Sequence, residues 1–200
     1  MKPFFHALRL LVQPVHGWRI IADADHSLAS VLLWQTIPMA LIPAVCWYYG
    51  VSQVGWQVAG ETMRLTAASA MPLCVLFFLA MVSGVLFMGF MVRWMSTVYG
   101  KESTFGTGVA LISFTATPFF IFGLLGLYPL LWLDITLGVA VACYCIFLLY
   151  RGVSPMMQVP EDRGFLYASA LFAVALVAFV GLLTATTLLW EFGPAPEYTY

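Results

Sequence analysis

Charge is what this chain has least of. Asp, Glu, Lys and Arg make up 8% of its 200 residues, against about 25% in ordinary soluble domains. The hydrophobic set reaches 62% and the mean hydropathy +0.96. A globule of this length would have almost nothing polar to turn toward water, so a soluble fold is excluded and lipid is the solvent. Basic clusters are missing too: no run of five occurs and the net charge is −1, so nucleic acid is not an expected partner. There is no Gly-rich phosphate loop, no Gly-x-Ser-x-Gly and no His-Glu-x-x-His. Nor is there a serine or acid pair at membrane depth with partners to activate it. A non-enzymatic role without a cofactor is the expectation. The three histidines, His6, His16 and His26, stand ten residues apart, which suits no metal-ligand set on one helix. The four cysteines, Cys46, Cys74, Cys143 and Cys145, lie in or beside apolar runs and do not read as a disulfide framework. A signal peptide is also absent, because Arg9, Arg19, Asp23 and Asp25 interrupt the first 26 residues and no small-residue cleavage site follows.

What is present is a series of long apolar runs. Residues 107–127 carry no charge and are long enough to cross a bilayer; Tyr128-Pro129 reverses the chain, and residues 130–150 cross back with one acid, Asp134. So tight a reversal makes the two helices pack antiparallel. Residues 27–49 form an earlier span, with Ser27 as N-cap and Pro38 and Pro43 as kinking positions. Residues 69–92 form another, with Pro72 in the first turn and Ala80 and Gly84 offering a close-packing face. Residues 165–189 form the last, with small side chains at Ser169, Ala173, Ala178, Gly181 and Ala185. Between the first two lies a polar loop, 50–68, in which Glu61 and Arg64 are placed to pair. The predicted architecture is all-α: a polytopic bundle of five transmembrane helices over 27–190, an interfacial segment 1–26, and a disordered tail 191–200.

Basic residues orient it. With the N-terminus in the cytoplasm, Lys2, Arg9, Arg19, Arg93, Lys101, Arg151 and Arg163 lie inside and only Arg64 outside, as the positive-inside rule asks. The C-terminus is then outside. In the N-terminal segment His6, Arg9, Gln13 and His16 recur at helical spacing, opposite Phe4, Leu8, Leu11, Val12 and Val15. Pro14 and Gly17 break this helix near its middle. His6, Arg9, His16 and Arg19 would then meet headgroups, with Trp18 anchored at the interface; a lead-in that packs on the bundle stands beside that reading.

Two places inside the spans hold polar side chains. Asp134 is an intramembrane acid, by default a functional site. Its place one turn past Pro129 lets it sit at the positive end of its own helix, and that structural reading is put ahead of a proton or ligand site. Ser113, Thr115, Thr117 and Pro118 form the second place, where the proline frees a carbonyl that the hydroxyls can satisfy. Gln35-Thr36-Ile37-Pro38 in the first span rhymes with it. Interrupted helices of this kind bind substrates in transporters, yet packing is the favoured reading.

Ala116-Thr117-Pro118, Leu127-Tyr128-Pro129-Leu130 and Tyr150-Arg151-Gly152-Val153, in that order, resemble the YIP family, the Ypt/Rab-interacting membrane proteins. Pro14, Trp18 and Ile20 before the first span and Val54-Gly55-Trp56 after it resemble the family's small bacterial inner-membrane members. The resemblance runs from about residue 10 to 190 and implies a five-helix membrane domain. The resemblance also implies that eukaryotic members bind Rab-type GTPases and carry a long cytosolic N-terminal segment; the expectation here is that this segment is absent and that such a GTPase is not a partner. Two functions are carried forward. One is a multi-pass protein of the bacterial cytoplasmic (inner) membrane that organises lipids, copies of itself or other membrane proteins. The other is a small-solute or ion transporter or channel using Gln35, Thr115, Thr117, Pro118 and Asp134.

Overall fold

The structure is a computed structural model. It describes the backbone of residues 2–24, 26–58, 61–99, 102–192 and 198–199, with side chains throughout except at 2–5, 8, 57, 58, 61, 189–192, 198 and 199. Several sequence expectations therefore fall outside the described side chains: the Glu61–Arg64 pair, Phe4 and Leu8 of the N-terminal stripe, Asp25 beside His26, the two lysines, and Trp190.

The described residues fold into two short helices, α1 (Lys2–Val12) and α2 (Pro14–Ala22), followed by long apolar ones. These are α3 (Leu28–Val54), α4 (Ala67–Tyr99), the bent pair α5 (Phe105–Thr115) and α6 (Thr117–Phe122), α7 (Leu131–Met157) and α8 (Glu161–Phe192). Four helices are long and apolar enough to cross a membrane; the bent pair, continued to Leu127 by a 3-10 turn and angled by 43°, makes a fifth if it is one span. The long helices overrun their predicted ranges by one or two turns, because helix continues through the interfaces where composition turns polar. The fold is all-α as expected, with one small addition. Loop 50–68 holds a hairpin, β1 (Trp56–Val58) and β2 (Glu61–Leu65), and a third strand, β3 (Tyr198–Thr199), pairs with it antiparallel, Leu65 opposite Tyr198. Tyr198 and Thr199 fall in the tail expected to be disordered.

Each proline is accommodated locally. Pro14 stands at the start of α2, so the N-terminal helix breaks at Gln13 as its composition predicts. Before Pro38 the chain takes a π turn, Leu32–Thr36, in which the Ile37 amide reaches back to the Leu32 carbonyl. A wider turn absorbs the hydrogen bond that proline cannot make. Pro118 opens α6 after a break at Ala116.

The helices meet backbone to backbone at glycines. Gly123 lies on Pro43, and Gly126 lies on Trp47 and Gly50, so α3 and the 3-10 turn after α6 touch along one face at the hairpin end. Gly89 of α4 and Gly108 of α5 cross similarly, and a Cβ on Gly89 would stand 2.9 Å from the Val109 Cα. The close-packing face expected at Ala80 and Gly84 is not used at Gly84, which has nothing within 4 Å. Lipid-type packing depends on backbones coming close, and only the glycines that face another helix permit it.

That contrast makes a test. Gly108→Val places branched carbon against the Gly89 carbonyl and should lower unfolding free energy by about 2 kcal/mol or more. Gly84→Val should leave it within about 0.5 kcal/mol. Thermal unfolding of both variants in detergent, read by circular dichroism, measures the difference.

Candidate functional site

Inside the bundle the two proline-interrupted segments are hydrogen-bonded to each other. Gln35 Nε2 donates to Thr117 Oγ1 at 3.1 Å, and Thr117 Oγ1 donates to the Ser113 carbonyl at 3.3 Å. One residue along, Thr36 Oγ1 lies 2.9 Å from Ser113 Oγ and donates to the Val31 carbonyl at 3.3 Å. A hydroxyl has one proton, so Thr36 giving its own to Val31 makes Ser113 the donor in their pair. Gln35, Thr36, Ser113 and Thr117 are all 0% exposed. Thr36 Oγ1 thus donates to the carbonyl just before the π turn, and Thr117 Oγ1, in the residue before Pro118, donates one turn back within its own segment. Both hydroxyls lie close to a proline and use backbone carbonyls of their own segment as acceptors.

Thr115 and Gln35 keep one polar atom each, Thr115 Oγ1 and Gln35 Oε1, buried without a partner among the described residues. Pro118 is buried in the first turn of α6. Asp134 stands elsewhere, in the first turn of α7, with no hydrogen bond joining it to this seam. It is half-buried, the Leu130 backbone amide is turned toward its carboxylate, and neither oxygen makes a hydrogen bond of good geometry among the described residues. Of the predicted residues, then, the structure brings together Gln35, Thr117 and the Pro118 turn, and leaves Asp134 apart. Sequence reading treated Gln35-Thr36 and Ser113-Thr117 only as a rhyme. The signal that joins them is their shared pattern, two hydroxyl or amide residues just before a proline in consecutive-turn register.

The N-terminal residues are placed differently from the expected interfacial stripe. Trp18 is 0% exposed, with its indole packed on Gly152 of α7, so it is a core residue and not an interface anchor. The buried stripe is Ala7, Leu10, Trp18 and Ile21, while Val12, expected on the apolar face, is 80% exposed. The chain bends at Gln13 so that a Cβ on Gly17 would stand 2.8 Å from the Leu10 Cα, and the two helices pack on each other along these buried positions. Tyr144 of α7 donates to the Leu11 carbonyl at 2.8 Å and thereby satisfies one orphan acceptor at the end of α1. Arg9, His16 and Arg19 are exposed and His6 is half-buried. Arg19 lines a cleft that Arg151 shares. His26 Nε2 is 2.6 Å from the Ile21 carbonyl. No group of three metal-ligating side chains occurs among the described residues.

The Trp18–Gly152 contact was not foreseen, although Gly152 beside Tyr150 and Arg151 was its available sign. Neither was the hydroxyl of Tyr167, which reaches the Val92 carbonyl and ties α8 to α4, with the Tyr99 ring stacked on it at 5.1 Å.

Comparison with known proteins places this arrangement. A family model described as the Yip1 domain matches residues 8–182. The inner membrane protein YohC of Escherichia coli strain K12 is 29% identical over 189 residues, covering 94% of this chain and 97% of that protein. YohC of Escherichia coli O6:H1, strain CFT073, matches to the same extent. No solved structure matches the chain.

The hydrogen-bonded seam is testable by a double-mutant cycle. Gln35→Leu and Thr117→Val should each lower unfolding free energy by about 0.5–2 kcal/mol, with a coupling near 0.6 kcal/mol, since bonds between helices in lipid fall in that range. Denaturant titration of the four proteins in mixed micelles gives the coupling, and strictly additive losses would show that the two side chains act separately.

Proposed function

The chain belongs to the Yip1 domain family and is a multi-pass protein of the bacterial inner membrane, and on that premise we propose that it is a non-enzymatic organiser of lipids and neighbouring membrane proteins. It spans the bilayer five times, with the N-terminus in the cytoplasm and the C-terminus outside. What supports the topology is that Arg64, the one basic residue assigned outside, belongs to the strand that pairs with the C-terminal Tyr198–Thr199. Arg19 and Arg151, both assigned inside, line one cleft.

One observation carries the organising role. Four polar side chains of the proline-interrupted segments are turned on one another, while three of the N-terminal helices are turned outward. Gln35, Thr36, Ser113 and Thr117 are fully buried and mutually bonded. Arg9, His16 and Arg19 are exposed on helices whose other face is locked into the core by Leu10, Trp18 and Ile21. A rigidly seated, outward-facing basic surface at the headgroup level attracts anionic membrane components, at about 1 kcal/mol per basic residue. The transporter reading would need the seam to open to a solute, and the clefts at Arg19 and at Glu102 are lined by none of Gln35, Thr115, Thr117, Pro118 or Asp134.

The test uses the full-length protein. Arg9→Glu combined with His16→Glu should leave insertion and melting temperature unchanged, because neither side chain is in the core. It should also deplete at least severalfold the lipids and membrane proteins that co-purify in mild detergent. An unchanged co-purifying set overturns the organising role. In proteoliposomes, solute or ion flux should stay at the protein-free background, with Asp134→Asn indistinguishable from the parent; flux that Asp134→Asn abolishes would instead establish the transporter.

A further inference from the structure

Between α2, the last turns of α7 and the first turn of α8 lies a cleft of about 450 Å³, within the size range of small-molecule sites. Its charged lining is Arg19, Arg151 and Glu161, and Ser154 adds a hydroxyl. Val15 and Phe165, both exposed, line it as well. Tyr150 also lines it, but its hydroxyl is already 2.8 Å from Ser169 Oγ. The charged pair is held in place by the core beside it. Trp18 packs on Gly152, and the residues next to each, Arg19 and Arg151, are thereby presented to the same space. A second close contact, Gly164 on the Ser154 side chain, fixes the start of α8 against the end of α7. Arg151 also lies over the Phe147 ring, 5.9 Å from its centroid, which orients the guanidinium.

We propose that this cleft binds the phosphodiester of an anionic membrane phospholipid, gripped between Arg19 and Arg151. Two arginines that line one space attract an anion to it, and their planar forks match phosphate oxygens. Two arginines against one carboxylate leave a single positive charge, which a lipid with one phosphodiester and no other charge neutralises. Glu161 disfavours headgroups with more negative charge. The exposed Val15 and Phe165 give the acyl chains an apolar path from the headgroup into the bilayer. The assignment rests on the reading that this end of the bundle lies at the cytoplasmic headgroup level, and it adds to that reading a defined site and a lipid class.

The experiment reconstitutes the purified full chain in nanodiscs of phosphatidylcholine and phosphatidylethanolamine with increasing phosphatidylglycerol, and in a second series with phosphatidic acid, and counts retained lipid by native mass spectrometry. Wild-type protein should retain phosphatidylglycerol over phosphatidylcholine and over phosphatidylethanolamine. Arg19→Gln with Arg151→Gln should weaken that retention roughly tenfold, as expected for losing charge-assisted hydrogen bonds. Arg93→Gln, an exposed arginine outside the cleft, should retain lipid as wild-type does. Glu161→Gln should add retention of phosphatidic acid, which carries more negative charge. Equal retention of all three lipids, or an unaltered double variant with wild-type melting temperature, overturns the site. Displacement of phosphatidylglycerol by millimolar inorganic phosphate would assign the cleft to a soluble anion and also overturn the lipid assignment. The cleft can fail while Arg9 and His16 still govern co-purification, so the two proposals are separable.

Discussion

The hydrogen bonds from Gln35 and Thr36 to Thr117 and Ser113 are the constraint from which the rest of the bundle follows. Hydrocarbon offers no water to a backbone group that a proline has orphaned, and an unmade hydrogen bond there costs several kcal/mol. A helix with Pro38 and a helix with Pro118 could each be unstable alone at that depth. Set side by side, they join through their own side chains, Gln35 to Thr117 and Thr36 to Ser113, so the polar groups near the two prolines meet each other and not lipid. This fixes α3 against α5 and α6 in both register and rotation, because side-chain hydrogen bonds tolerate errors of only a few tenths of an ångström. Non-directional apolar packing would fix neither.

Once α3 is set against the bent pair, the glycine contacts become possible. Pro43, Trp47 and Gly50 occupy one stripe of α3, and Gly123 and Gly126 occupy the facing 3-10 turn. The seam and the stripe lie on opposite sides of the proline at position 118, so the 43° bend is held from both directions. Gly89 and Gly108 then bring α4 in close, and the buried hydroxyl of Tyr167 ties α8 to α4. The exposed side chains along the later part of α8, such as Val177, Phe179 and Val180, face away from all of this. In a bilayer they meet acyl chains, which are as apolar as they are.

How much of this could be read from the sequence differs by the physics involved. Long apolar runs are legible because a fixed hydrocarbon thickness sets their length, and the structure has four helices long and apolar enough to cross a membrane, with the bent pair a fifth if it is one span. Prolines specify where a ladder must be interrupted, and Pro14, Pro38 and Pro118 each mark a break or a widened turn. Which face of a membrane helix looks inward is not encoded in the same way. Inside and outside are both apolar, so hydrophobic periodicity carries little information. For that reason composition points to Gly84, Val12 and Val15, whereas the positions packed against other helices include Gly89, Leu10 and Ile21. Polarity does discriminate in lipid, but a pair 82 residues apart, Gln35 and Thr117, becomes a contact only once the helices are placed. The strand pairing of the hairpin with Tyr198 was likewise illegible, since three short strands give no periodicity to find.

Trp18 shows how a buried contact can decide what an exposed surface does. Fully burying an indole against Gly152 is worth on the order of 2–3 kcal/mol, more than an exposed ion pair contributes. The core contact therefore sets the position, and the charges follow it. With Trp18 fixed, Arg19 has no freedom to move away from Arg151 beyond its own side-chain rotamers. Two arginines whose backbones are set beside one cleft by apolar packing favour an anion there, because that packing does not depend on the ligand. The motif Tyr150-Arg151-Gly152 then has a division of labour. Glycine admits the ring, arginine uses the position so created, and tyrosine closes the wall through Ser169. On this argument the cleft between α2, α7 and α8 is where this molecule turns charged groups outward, whereas the polar groups of the seam, Gln35 Oε1 and Thr115 Oγ1 among them, are buried.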